Sequence, residues 1–175
     1  MKKFGSQLSG PVYIGIDQSY SGFSITSLND AGFYTTVYKS ELRGVDRLLD
    51  IRQHLESMIG SCEIIDVAME GYAFGSQMAN MLGELGGMVK MSLRDMGKYP
   101  LIVPPTVLKK YVAGKGQGVS KSQMLLNVYK TWGVEFNDDN AADSYALAKI
   151  ASGEVKYAYQ KEVVAKLQDV KFRER

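Results

Sequence analysis

The stretch Val12-Tyr13-Ile14-Gly15-Ile16-Asp17-Gln18-Ser19-Tyr20-Ser21-Gly22 decides how the rest of the chain is read. An apolar run ends in a carboxylate, small and polar residues follow, and a second alternation starts at Phe23 and Ile25. This is the pattern of a buried strand turning into its hairpin partner. An ionised carboxylate at a buried strand tip is costly unless a cation or several donors meet it. Asp17 is therefore read as the first ligand of a metal site, whose other members lie downstream.

Working outward, residues 11–17, 21–28 and 32–38 form an antiparallel meander, with Asn29-Asp30-Ala31-Gly32 as the second turn. Ser40 is placed to cap a helix from Glu41 to about Gly60. Leu42, Val45, Leu48, Leu49, Ile51, Leu55 and Ile59 recur along it at three-four spacing as one apolar face. The run Ile64-Ile65-Asp66-Val67-Ala68-Met69-Glu70 is a second buried strand ending in an acid. A helix between the meander and this strand implies a crossover that lays it parallel beside the first. A loop with Tyr72 and Phe74 follows, then a helix over 77–97 despite Gly83, Gly86 and Gly87. Each glycine costs roughly 1 kcal/mol against alanine, so a close approach to the sheet or to a second subunit is expected there. Leu101-Ile102-Val103 is a short strand, and Pro105 suits the first turn of a helix over 107–112 that stops at Gly114. Gly114-Lys115-Gly116-Gln117-Gly118 is a flexible basic loop, and Ser120 opens a helix to about Trp132. Asn137 or Asp138 caps another, to about Ser152, and the lysine-rich tail from Glu154 reads as a frayed helix or a disordered arm. The expectation is one α/β domain over 1–175, with a core of about 11–152 and tails at 1–10 and 153–175. Its sheet is mixed and five-stranded, three antiparallel strands plus two parallel, flanked by helices.

Composition narrows the chemistry. The 175 residues are 45% hydrophobic and 23% charged with a net charge of +2, ordinary for a globular chain. A single cysteine, Cys62, excludes a disulfide framework and a cysteine zinc site; a single histidine, His54, leaves little material for a multi-histidine site or a Ser-His-Asp triad. No apolar run reaches about 18 residues, the length of a membrane span, and no signal-peptide core follows the N-terminus. No membrane association is expected, and the cytoplasm is the expected compartment.

Three acids remain conspicuous: Asp17, Glu70, and Asp143 within Asn140-Ala141-Ala142-Asp143-Ser144-Tyr145-Ala146-Leu147-Ala148. Asn140 and Asp139 precede Asp143 by three and four residues and share its helix face. If the first and fourth strands are neighbours, Asp17 and Glu70 end side by side, and the last helix presses Asp143 towards them. Clustered carboxylates need a cation to stay ionised, and an oxygen donor set selects magnesium or manganese. Two such ions would clamp the attacking and leaving oxygens of a phosphoryl displacement. Taken singly, Asp17 reads equally as a turn residue, Glu70 as a lysine partner and Asp143 as an exposed helix acid. Lys109, Lys110, Lys115 and Lys121 read singly as a solvated face. Residues 114–118 lack the Lys-Ser/Thr ending of a P-loop. The methionines at 78, 81, 88, 91 and 96 read as packing or a dimer face.

In order along the chain, "GIDQSYSGFSI", "VAMEGYAFG", "KKYVAGKGQGVSKSQM" and "NAADSYALAKIA" resemble the four motifs of the RuvC-type Holliday junction resolvases of the RNase H-like superfamily, phage-type members included. The resemblance spans residues 12–152. It implies an RNase H-like fold and a magnesium-dependent homodimer that cuts a four-way DNA junction in a bacterial or phage-infected cell. It also implies two Mg2+ ions (Mn2+ as substitute) on Asp17, Glu70 and Asp143, and Lys121 as the basic residue near the scissile phosphate. Lys115 is a second candidate DNA contact, with Lys109 and Lys110 beside it. The chain departs from the pattern in three places. Asn140 stands where many members carry Asp or His, so Asn140 or Asp139 completes the ligand set. Ala73, flanked by Tyr72 and Phe74, stands where relatives place an aromatic against unstacked bases. Ser19 replaces a frequent glycine. Rival readings are a nuclease of forks and flaps, a junction-binding module with weak catalysis, and a nucleotide-binding actin-like domain.

Overall fold

The structure, a computed structural model, describes residues 8–72 and 78–174. Its centre is a five-stranded sheet in the order β3-β2-β1-β4-β5. Strands β1 (Val12–Gln18), β2 (Phe23–Asn29) and β3 (Gly32–Tyr38) form the antiparallel meander, while β4 (Ile64–Glu70) and β5 (Leu101–Val103) join β1's other edge in parallel. This is the mixed three-plus-two sheet expected. Ile16 pairs with Met69 across β1 and β4. The next step of that register brings Asp17 beside Glu70, so the two acids leave the sheet at one end of adjacent strands.

Two layers cover the sheet. On one face lie α1 (Gly44–Ile59) and α2 (Ala79–Asp95), which bury Ile51, Leu55, Leu85, Val89 and Leu93 against Ile14, Ile16 and Ile25. On the other lie α3 (Pro105–Ala113), α4 (Lys121–Trp132), α5 (Asp139–Ala151) and α6 (Ala158–Leu167). Helix α5 is buried nearly all round, at the middle of this layer. It can approach because β1 carries Gly15: a Cβ there would stand 2.0 Å from the Ser144 carbonyl oxygen and 2.3 Å from the Ala148 nitrogen. Polar groups sealed by this approach satisfy one another. The Ser144 hydroxyl lies 2.7 Å from that of Ser24 and 2.8 Å from that of Thr26. Each such bond contributes about 1 kcal/mol, and orphaning one costs more.

The capping signals at Ser120 and Asp138 act as expected. Ser120 forms a reciprocal capping box with Gln123, and the Asp138 side chain accepts from the Asn140 N–H. Three expectations are corrected. Helix α1 starts at Gly44, not Glu41, because Gly44 has a left-handed φ of +56° and interrupts a right-handed helix there. Ser40 caps a turn instead, accepting from the Leu42 N–H. The wide apolar face of that helix also splits: Ile51, Leu55 and Ile59 are buried, while Leu42, Val45 and Leu49 are 51%, 70% and 57% exposed. The segment after Glu154 is neither frayed nor a free arm. Val163 and Leu167, four apart, seat α6 in the core, and Gln160 donates to the Tyr111 carbonyl. Beyond it, Arg173 grips Asp66 with two bonds of 2.6 and 3.0 Å and pairs with Leu101 at the sheet's edge. The high lysine content masks this short apolar stripe.

Candidate metal centre and nucleic-acid cleft

At the end of β1 and β4 the sheet opens into a cleft of about 500 Å3, lined by Asp17, Glu70, Asn140 and Asp143, by Lys121 and Asp139, and by Gln18, Tyr20 and Tyr72. Each acid arrives from a different element for a local reason. Asp17 is next to last in β1, Glu70 closes β4, and Asp143 stands in the second turn of α5, the helix that packs on β1 at Gly15. The sequence separation is large, yet the three carboxylates feel one another.

Asp17 is 3% exposed. Burial drives its proton affinity well above the ordinary carboxylate range, Glu70 and Asp143 raise it further, and the Ser19 N–H pulls back only weakly. The interaction between Asp17 and Glu70 raises the proton affinity of Asp17 and lowers that of Glu70. Glu70 is also raised, by burial first, with Lys109 opposing. Asp143 is pushed up to about 8 by burial, then by Glu70 and Asp139, against the pull of Lys109 and Lys121. Its Oδ1 is buried without a hydrogen-bond partner.

These features fit a hard divalent cation. The donors are oxygens, burial and neighbouring acids raise the proton affinity of Asp17 and Asp143, and one buried oxygen of Asp143 has no hydrogen-bond partner. Among the described residues, no group of three or more carboxylate, imidazole or thiol side chains is arranged, as it stands, to hold a metal ion. Asp139 is held on Lys121 by an ion pair of 2.5 Å. That ion pair engages the charge of Asp139, whereas Asn140, 8% exposed, sits in the cleft wall beside Gly22.

The basic and aromatic candidates divide. Lys121, at the first turn of α4 and 77% exposed, stands at the cleft rim. Lys109 acts on Glu70 and Asp143 through its charge. Lys110 turns to α6 and pairs with Glu162 at 2.8 Å. Lys115 is exposed in the loop after α3 and is not part of the cleft lining. Tyr72 lies in the cleft with its ring 5.4 Å from the Lys90 ammonium; Phe74 lies outside the described residues. Two neighbours escaped the sequence reading. Gln18, 4% exposed, ties β1 to β4 by donating from Nε2 to the Glu70 carbonyl at 2.9 Å. Arg47 of α1 donates to the Tyr20 carbonyl and lies 3.7 Å from the centre of its ring, holding the β1–β2 turn at the rim. Gln18 could have been suspected from its place beside Asp17; Arg47 has no local signal.

No protein-family model matches the chain, and no curated protein does. Solved structures do. Thermus thermophilus RuvC is 18% identical with a TM-score of 0.65, the match covering 93% of this chain and 98% of that one. The same protein in complex with a Holliday junction substrate gives 15% identity and a TM-score of 0.66 over the same shares. The yeast mitochondrial Holliday junction resolvase gives 16% identity and a TM-score of 0.52 over 93% of this chain and 81% of that one. The RNase H-like fold implied by the four motifs is therefore the fold of the chain. No helix among the described residues is long and apolar enough to cross a membrane.

Proposed function

We propose that the chain is a RuvC-type endonuclease that resolves Holliday junctions by divalent-metal-dependent hydrolysis of DNA phosphodiesters, acting as a homodimer. The observation that carries this reading is the meeting of Asp17, Glu70 and Asp143, from three distant segments, in one open cleft with an unpartnered buried carboxylate oxygen. A likeness over 93% of the chain to a RuvC solved with a Holliday junction supports the choice of substrate.

The residues that would hold the metal are Asp17, Glu70 and Asp143, with Asn140 as the neutral fourth donor; Asp139 is already engaged by Lys121. The chemistry supplied by two bound magnesium ions, with manganese able to substitute, is activation of water and stabilisation of the leaving oxygen. The chain's own part is to place and to balance. Burial of Asp17 behind Gln18 and Gly15 fixes its carboxylate against both neighbouring strands. Lys109 and Lys121 add positive charge near the acids, and Lys121 does so at the cleft rim, where a DNA phosphate must enter and where negative charge grows during reaction. Neither serine nor tyrosine is needed as a nucleophile, so no covalent enzyme–DNA intermediate forms. Two cuts related by two-fold symmetry call for two sites related in the same way. Met81 and Met91, 41% and 67% exposed on α2, offer an apolar face for the second copy.

The test is nicking of a labelled four-way junction with and without magnesium, accompanied by light scattering. Metal-dependent paired cuts by a dimer support the proposal. Absence of cutting on four-way junctions at any magnesium or manganese concentration, or a monomer on junction DNA, defeats it.

A further inference from the structure

The two edges of the sheet are treated differently. At β5 the chain covers its own edge: Arg173 bridges to Leu101, and the Glu174 N–H donates to the Pro100 carbonyl. At β3 no such cover comes from the described residues, and β2 is its one neighbour among them. An edge strand turns alternate N–H and C=O groups outward, and natural proteins blunt such an edge with a charge, a proline, a bulge or a short strand. Strand β3 has none of these. Its seven residues, Gly32-Phe33-Tyr34-Thr35-Thr36-Val37-Tyr38, contain no charge and no proline. Its register on β2 runs unbroken from Phe23 opposite Tyr38 to Asn29 opposite Gly32. It is also held from both faces: Thr35 Oγ1 lies 2.7 Å from Thr26 Oγ1 on one, and Thr36 Oγ1 lies 3.2 Å from His54 Nε2 on the other.

The strand's own sequence indicates what fits this edge. A second copy of the strand, antiparallel and related by a two-fold axis at Thr35, engages all seven residues and keeps like faces together. Thr35 then meets Thr35, Phe33 meets Val37, Tyr34 meets Thr36, and Gly32 meets Tyr38, so each unlike pair sets a large side chain against a smaller one. The flanking charges agree. Asp30 precedes the strand and Lys39 follows it, both exposed. Within one copy they stand at opposite ends of β3, roughly 25–30 Å apart. The two-fold axis places each Lys39 opposite the other copy's Ala31, one residue from its Asp30. Opposite charges meet at both ends, whereas a parallel pairing would set Lys39 against Lys39.

We infer that β3 is a self-pairing edge, through which two copies of this chain join antiparallel into one continuous sheet, with a Lys39–Asp30 contact at each end of the seam. This contact is distinct from the α2 face offered for the dimer. Strand β3 reaches the cleft end of the sheet at Tyr38, since Gln18 pairs with Phe23 and Phe23 with Tyr38. Antiparallel pairing therefore turns the two clefts to opposite ends, so it is not the arrangement that sets two sites on one junction. It joins two DNA-binding units instead. Neither DNA nor metal takes part in it, so the inference goes beyond the function proposed above and is tested apart from it.

Sedimentation of the full chain in EDTA, without DNA, over a concentration series tests this. Met81→Lys/Met91→Lys is the background, because charge on the exposed face of α2 removes association through that face. In it a monomer–dimer equilibrium is expected with a Kd of roughly 10–100 μM, at the weak end as suits a small edge contact. Lys39→Glu should weaken this about tenfold at about 50 mM salt, since the change acts at both ends of the seam, and so should Asp30→Lys; at about 500 mM salt the effect should shrink. The double variant Asp30→Lys/Lys39→Glu exchanges the charges and should restore the background Kd to within about twofold. Residues so far apart in one copy give such a rescue only by contact between copies. A background protein still monomeric at about 500 μM overturns the inference, as do single charge variants that associate like the background or a double variant no tighter than the singles. A protein that associates in this way but does not cut junctions defeats the nuclease reading alone and leaves the inference supported.

Discussion

Replacing Asp143 with asparagine separates the cost of the buried charge from its use. In the metal-free protein this carboxyl titrates near 8 instead of near 3.8, chiefly through burial. The folded state therefore binds the proton more tightly than the unfolded chain. Stability is greatest below the unfolded value, falls as pH rises from about 4 to about 8, and levels off above. At about 1.36 kcal/mol per unit, the ceiling is roughly 6 kcal/mol at high pH. Water entering the open cleft and rotation of the side chain offset much of that, leaving an expected cost of about 1–3 kcal/mol. Asp143→Asn removes it. At about pH 9 in EDTA the variant should melt above the parent by roughly 3–10 °C, and the gap should close towards about pH 5. Magnesium should reverse the order, raising the melting temperature of the parent and not that of the variant. Thermal melts followed by circular dichroism, with EDTA or magnesium, measure all of this. A variant that melts below the parent in EDTA at every pH would refute the reasoning, as would an equal response of both proteins to magnesium.

Two further perturbations probe other levels of the account. Lys121→Ala should reduce junction cutting by about 10–100-fold through loss of positive charge at the phosphate; its slope of log affinity against log salt should be shallower by about 1, and an unchanged slope with full cutting would remove Lys121 from the interface. Gly15→Ala places a methyl group against backbone atoms of α5, which cannot yield as a side-chain tip can; a loss of about 3 kcal/mol or more is expected in denaturant titration, and a loss under about 1 kcal/mol would show that α5 is not held where described.

The legible part of this molecule lies where local pattern and global contact agree. Asp17 and Glu70 stand out because each ends an apolar strand, and the crossover rule makes those strands neighbours. Ser120 and Asp138 announce α4 and α5 because a cap is a contact between residues two or three apart. Asp143 is harder to read: α5 is buried nearly all round and mixes small, polar and apolar residues, so periodicity does not say which face meets the sheet. The illegible part consists of contacts made across long loops. Arg47 reaches Tyr20 over 27 residues and Gln18 reaches Glu70 over 52, and neither leaves a periodic trace. Helix α6 is hidden by its lysines, although two apolar residues one turn apart suffice to dock it. Gly86 is invisible for the opposite reason. It looks like Gly83 and Gly87 in the chain, and only the arrival of Tyr72 and Gln18 distinguishes it.

Crystals soaked in manganese and measured at a wavelength where that ion scatters anomalously test the central claim most directly. The account predicts anomalous peaks bounded by carboxylate oxygens of Asp17, Glu70 and Asp143, absent from crystals of Asp17→Asn. Fully soaked crystals with no peak among these three residues, or with one only at some other surface, would contradict it.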